Sequence, residues 1–523
     1  MRLLAAGFMA ILAAGVGFAI RGGIFGDWVK AFNFTGLQIG LINGAGFTGF
    51  CFGIIIGGVV VDRIGYGKLA AAAFGFHILS ALVTFGAHDG MSQQMAFVYL
   101  WTGTFLFAVA NGTLEAVANP LVATLFPENR THYLNILHAS WPAGLVLGAG
   151  IHAVLQKSSW QMQLGCFLIP TLAYGAMFVG QKFPKSEASL KGLKFGEMLK
   201  DVGILGALLV GLFIFLFCKD GLGPLLSGFT GSEFFKSIGW QYASMAIGGG
   251  VFLWFAGASR WSFGAPLLFV LIITHVLVGA VELGSDSWIQ NIEDNILKQG
   301  DGTKLFIYTS ALMFVLRFCG HAIEHKLGLK PLNLLLVCSI LGCVGLNLIS
   351  HVNSFTFALV ALTVYALGKS FFWPTMLAVA SDRFPRCGAV AISIMGGLGM
   401  MSAGLLGSPG LGYSTDRFAA EALQKDSPAV YSEYKSENTS QWLIFAPVNS
   451  IDGKKLAEAE SAEPEKRTPS QQAVVKANAD GNRMTLRVDS GIPLTMAAIF
   501  LLLILYFKAK GGYKVVHIGE AEA

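Results

Sequence analysis

Fourteen stretches of this 523-residue chain stay apolar for seventeen residues or more, and that count limits what the chain can become. They run over 4–25, 37–61, 69–87, 96–125, 134–155, 161–180, 202–218, 239–257, 265–287, 305–323, 332–350, 355–380, 388–411 and 491–507. A helix of about 20 apolar residues crosses the hydrocarbon core of a bilayer, and there only a helix or a closed barrel satisfies its own backbone. Charged residues make up 13% of the chain, against about 25% in soluble domains. A soluble globule, a disordered chain and a nucleic-acid binder are thereby excluded. The sequence predicts an all-α polytopic membrane protein with about fourteen transmembrane helices. The seven cysteines show no paired spacing, so neither a disulfide framework nor a metal site is expected. Gly-rich runs lack the P-loop Lys-Ser/Thr, and no Gly-x-Ser-x-Gly or His-Glu-x-x-His occurs, so no enzyme and no cofactor is expected.

Lys and Arg set the orientation. With the N-terminus inside, seventeen fall in short inner loops and termini and six in short outer loops. The expectation is a multi-pass protein of the cell (inner) membrane with both termini cytoplasmic. Residues 181–201, polar and Lys-rich, read as a cytoplasmic linker, and 412–490 as an external loop without a long apolar run.

Three internal similarities recur in the same order in both halves. Gly58 is followed four residues on by Asp62, then Arg63 and Gly65, as Gly320 is followed four residues on by Glu324, then His325, Lys326 and Gly328. Glu115 stands five residues before Pro120, as Lys369 does before Pro374. Asp27-Trp28 and Asp286-Ser-Trp288 close their spans alike. Repeats of this kind are a common transporter plan. They divide the chain into a six-helix bundle (1–180), the linker, an inserted helix pair (202–258), a second six-helix bundle (259–411 with 491–507), and a tail (508–523).

This six-plus-six plan, with Gly58-Val-Val-Val-Asp62-Arg63-Ile-Gly65 between the second and third spans, resembles the major facilitator superfamily. Leu114-Glu115-Ala-Val-Ala-Asn119-Pro120, followed by Leu134-Asn135, resembles its fucose:proton symporter branch. The resemblance implies alternating access, with spans 4–25, 96–125, 265–287 and 355–380 lining a central cavity. It also implies a proton-coupling carboxylate at Glu115. Arg21-Gly22-Gly23 occupies the region of that branch's first-helix carboxylate.

Charges inside spans are costly and functional by default. Asn111, Glu115 and Asn119 recur every four residues and form one polar stripe, as do Tyr365, Lys369 and Trp373 on the repeat mate. Glu115 and Lys369 lie at matching depth and are expected to pair. Two readings are open for them: a permanent ion pair locking the halves, or a proton carrier and its counter-charge. Arg21 and Glu282 form an outer gate pair or bind solute; Asp286 is expected to be solvated at the outer interface. Arg317 faces Glu282 or the solute. His138, one turn after Asn135, donates to a solute hydroxyl, relays protons or simply packs. Gly58, Asp62, Arg63 and Gly65 form a conformational motif without chemistry of their own. The function expected is proton symport of a small polar solute, sugar-like, by a monomer in the lipid bilayer. The alternatives are an organic-anion or phosphate-ester carrier, with Arg21 and Lys369 as anion clamps, and a non-transporting sensor that uses 412–490.

Overall fold

Among the described residues each apolar stretch is helical over most of its length, because hydrocarbon leaves backbone N–H and C=O groups no partner but each other. The computed structural model describes the chain except residues 33–35, 186–194, 287–295, 298–300, 321, 322, 324, 325, 327, 388, 441 and 518–523. Trp288, the Glu324–His325 part of the repeat motif and the Asp62 side chain lie outside the described residues.

The first bundle comprises α1 (Arg2–Phe32), α2 (Gly36–Ile64), α3 (Tyr66–Phe85), α4 (Gln93–Leu125), α5 (Arg130–Leu155) and α6 (Leu168–Phe178), the last preceded by the short turn Trp160–Gly165. The inserted pair is α7 (Gly203–Leu216) and α8 (Ile238–Ala258). The second bundle comprises α9 (Pro266–Val278), α10 (Asp301–Phe318), α11 (Pro331–Ile349), α12 (Phe355–Lys369) with α13 (Phe372–Arg383), α14 (Ala389–Ser402) with α15 (Ser408–Asp426), and α16 (Pro469–Asp489) with α17 (Gly491–Ala509). Eleven helical stretches among the described residues are long and apolar enough to span a membrane. Helices at 161–180, 239–257 and 305–323 are split, shorter or more polar, and the fold is two six-helix bundles with an inserted pair.

Within the first bundle α2 crosses α4 at contact distance. A β-carbon on Gly53 would lie 2.2 Å from the Val109 carbonyl oxygen, so the crossing requires glycine. The inserted α7 and α8 pack on each other, and α7 touches α9 and α14. The bundles meet along α2 against α14 and α5 against α10.

The stretch 412–490, read as a loop, is folded. Helices α15 and α16 run on from membrane-spanning helices and pack together, and an antiparallel hairpin, β1 (Lys435–Ser440) and β2 (Val448–Ile451), lies between them. Ala419 and Leu423, one turn apart on α15, meet Val474 and Ala477 of α16 with Tyr434 and Ile451 in a small separate core. A capping box at Thr468 and Gln471 starts α16. Length misled the sequence reading here: this amphipathic face spans too few residues to register as a buried run. This unit marks the cap end of the molecule, and the opposite end, where α1 begins and α17 finishes, is the terminus end.

Candidate functional site

At the terminus end the two bundles are closed on each other. Helices α4 and α13 end alike, at Phe126 (φ −132, ψ 62) and Phe384 (φ −127, ψ 55), each followed by a proline that opens a 3-10 turn. This matched geometry sets Arg130 against Asp382, 2.9 Å apart and both buried. Tyr513 also donates to Asp382, at 2.8 Å, and the Val516 N–H donates to the Asp382 carbonyl, so the tail is strapped over the closure. Burial beside the Asp382 carboxylate pushes the Tyr513 hydroxyl well above its ordinary range, which keeps it a donor. Nearby, Gly58 of α2 meets α14: a β-carbon on Gly58 would lie 1.9 Å from Ser393 Oγ. Gly65, at φ +86, makes the turn from α2 to α3, a conformation that favours glycine. Arg63 is exposed.

In the second bundle the decisive feature is a helix break. The helix ends at Lys369 and restarts at Phe372, which frees the Ser370 carbonyl and the Trp373 N–H in a membrane interior. Charged side chains take both: Arg317 Nε donates to Ser370 O at 2.8 Å, and Glu282 Oε2 accepts from Trp373 N at 3.3 Å. Arg317 Nη2 and Glu282 Oε1 pair at 3.1 Å. The arrangement suits the helix dipoles, with a cation at a helix C-terminus and an anion at an N-terminus. Lys369, in the last turn of α12, pairs with Asp286 and lies 5.1 Å from the Tyr365 ring. Tyr365 itself donates to Val281 O. The Trp373 ring packs on His275, with centroids 4.5 Å apart.

In the first bundle the Asn111–Glu115–Asn119 stripe is a hydrogen-bonded run. His77 holds Asn111 at 2.8 Å and is itself 2.9 Å from the Tyr174 hydroxyl. Asn119 donates to Glu115 Oε2, and its oxygen lies 2.8 Å from His138 Nε2. His138 Nε2 is 3.7 Å from Glu115, and no Lys or Arg among the described residues is within 4 Å of that carboxylate. Arg317 ties the halves together: it also donates to the His138 carbonyl. That carbonyl is free because Pro142, four residues on, has no N–H to offer it. Asn135 donates to Thr131 O and lies 3.5 Å from Thr375 across the closure.

Between the bundles on the cap side lies a narrow cavity of about 90 Å3, roughly the share of three waters. Arg21, Asn43, Thr104, Asn111 and Asp286 give it polar groups. Phe18, Phe47, Phe107 and Trp141 give it aromatic faces. Arg21 is buried, its guanidinium 3.8 Å from the Phe107 ring centroid. It donates to Gly17 O and Ser80 Oγ, and its Nε has no partner among the described residues.

Several expected relationships change. Lys369 pairs with Asp286, not with Glu115, because the chain turns at the break and carries the Lys369 side chain toward the end of the α9 segment. Asp286 is therefore the partner of a buried lysine and not an interfacial, solvated group. Arg21 makes no pair with Glu282, which Arg317 holds. Of the side chains expected to meet solute, Arg21 and Asn111 line the cavity. Asn119, Asn135, His138, Glu282, Arg317, Tyr365 and Trp373 are buried in mutual contacts outside its lining. Sequence reasoning missed Asn43, Thr104 and the Arg130–Asp382 closure. The Phe126-Pro127 and Phe384-Pro385 pairs were the available signal for the last.

The L-fucose-proton symporter of Escherichia coli (strain K12) is 30% identical over 104 residues, which is 20% of this chain and spans only 23% of that relative's length. Among solved structures, the proton:xylose symporter XylE bound to 6-bromo-6-deoxy-D-glucose superposes with a TM-score of 0.60 at 12% identity, covering 96% of this chain and 95% of that one. FucP in the outward conformation gives 0.55 at 16% identity, over 79% and 92%. The human organic anion transporter MFSD10 gives 0.56 at 12% identity, over 95% and 99%. At these identities the structures share the fold. Residues 7–408 match the Major Facilitator Superfamily, and the chain is a multi-pass membrane transporter belonging to that superfamily.

Proposed function

We propose that this chain moves a small polar, sugar-like solute by alternating access, in symport with a proton that Glu115 carries. The observation behind the reading is the setting of Glu115. It is buried on a helix whose next turn up lines the cavity, and its neighbours are Asn119 and His138 rather than a fixed cation. A carboxylate so placed can take up and release a proton as its access to water alternates. Asn43, Thr104 and Asn111 supply hydrogen bonds for hydroxyl groups, and Phe107 and Trp141 supply ring faces, the lining that a polyol needs. A hexose needs more room than three waters, so loading requires the bundles to part at the cap end. The similarity over 104 residues to the L-fucose-proton symporter supports the same reading. We place the terminus end in the cytoplasm on the Lys/Arg asymmetry, and labelling of Ser450→Cys by a membrane-impermeant thiol reagent in intact cells tests that placement.

Glutamine keeps the shape of glutamate but cannot titrate. Glu115→Gln in proteoliposomes should retain counterflow of the solute and lose pH-driven accumulation. Undiminished uphill uptake would remove Glu115 as the carrier.

A second reading is favoured by Arg21, which borders the cavity with no carboxylate within 4 Å among the described residues. A solute carrying an acid group would supply the missing anion. Sugar acids should then compete for counterflow more strongly than the parent sugars, and Arg21→Gln should erase that preference.

A further inference from the structure

At the terminus end, outside the lining of the inter-bundle cavity, α9 and α17 border a groove of about 1040 Å3. Its walls are apolar: Phe269 and Ile273 of α9 face Leu502 and Tyr506 of α17. Its mouth is basic, formed by Arg383, Lys510 and Lys514, and among the described residues no Asp or Glu lines it. Asp382, beside Arg383 in sequence, is already committed to Arg130 and Tyr513. Arg383 is held in place by its contact with Phe507, 5.0 Å from the ring centroid, and by donating to the Lys514 carbonyl at 2.7 Å. Its Nε is buried without a partner among the described residues. An apolar trough between membrane-spanning helices, ending in three cations at the interface, matches a molecule with acyl chains and an anionic head.

We propose that this groove binds an anionic phospholipid from the leaflet at the terminus end, and that the lipid braces the closed state. The acyl chains lie along Phe269, Ile273, Leu502 and Tyr506, and the phosphate sits among Arg383, Lys510 and Lys514. The brace follows from connectivity. Lys514 belongs to the same tail as Tyr513 and Val516, which bond Asp382, and Asp382 bonds Arg130 of the other bundle. A headgroup that orders this tail thereby favours the Arg130–Asp382 closure. Free phosphate lacks the chains that the walls would bury, so the lipid is the occupant.

The test uses the full chain in nanodiscs, with lipid occupancy read by native mass spectrometry after extraction. Phosphatidylglycerol should be retained and phosphatidylcholine should not. Lys510→Gln with Lys514→Gln, both at exposed positions, should weaken retention of phosphatidylglycerol roughly 25-fold, since each cation near an anionic lipid is worth about a fivefold change. Equal retention of the two lipids, unchanged retention in the double variant, or displacement by millimolar inorganic phosphate would overturn the lipid site. For the brace, Ala378→Cys, packed between the bundles, should label more slowly in phosphatidylglycerol than in phosphatidylcholine discs. The difference should vanish in the double variant. A lipid-independent labelling rate would overturn the brace.

Discussion

Arg130 of α5 and Asp382 of α13 join the two bundles at the terminus end, 2.9 Å apart and both more than nine-tenths buried. Arg130 follows one Phe-Pro corner and Asp382 precedes its match in the other half, so the paired corners bring a cation from one bundle to an anion from the other. Truncating one partner of a buried pair costs about 3–5 kcal/mol because the other charge is stranded. Arg130→Ala should therefore populate states open at the terminus end, seen as faster labelling of Ala378→Cys. Arg130→Asp with Asp382→Arg should restore the parent rate. A double swap as open as the singles would dismiss the pair as the lock.

Lys369 and Asp286 supply a second exchange test. Lys369→Glu alone faces Asp286 with a like charge in a low-dielectric site, and folding or transport should fail. Adding Asp286→Lys should recover correctly folded protein by size-exclusion profile. Adding Glu115→Lys instead should not. Recovery by the Glu115 exchange would return Lys369 to the partner that helix depth alone suggests.

Pro142 leaves the His138 carbonyl to Arg317. Pro142→Ala supplies an N–H that closes the α5 hydrogen bond and competes for that oxygen. Its melting temperature should hold or rise, since proline within a helix costs about 3 kcal/mol relative to alanine. Its equilibrium between open and closed forms, read by double electron–electron resonance across α5 and α10, should shift toward separation. Unchanged distances would mean that Arg317 does not hold the halves through this bond.

Gly53 offers a packing test away from all charge. Gly53→Leu places a side chain against the Val109 carbonyl, where even a β-carbon would sit at 2.2 Å. Backbone cannot yield as a side-chain end can, so the loss should be at least that of an overpacked core, about 1–3 kcal/mol. Thermal unfolding in detergent measures it. A variant as stable as the parent would show that α2 and α4 are not locked at this crossing.

Much of this protein follows from its sequence alone. The spans are legible because a bilayer demands long apolar helices of whatever sequence. The plan of two bundles is legible because the repeat keeps its landmarks: Glu115 and Lys369 each five residues before a proline, and Gly58 at the head of its motif. That Glu115, Glu282, Arg317 and Lys369 are buried charges needing partners is also legible, since each lies within an apolar span. Which partner each one finds is not. A helical pattern reports depth and face on one helix, whereas pairing depends on how distant helices are rotated and where they break. The gap at Ser370–Phe371 turns Lys369 toward Asp286 and gives Arg317 and Glu282 two freed backbone groups to satisfy. Pro142 acquires meaning only when Arg317, from the other half of the chain, reaches the carbonyl it releases. The folded cap escaped notice because its core is small and its helices are amphipathic extensions of the spans. Composition and period therefore determined that charges are buried and at what depth, while tertiary packing decided their partners, because a buried charge pairs with what comes within about 4 Å and not with what matches it in sequence.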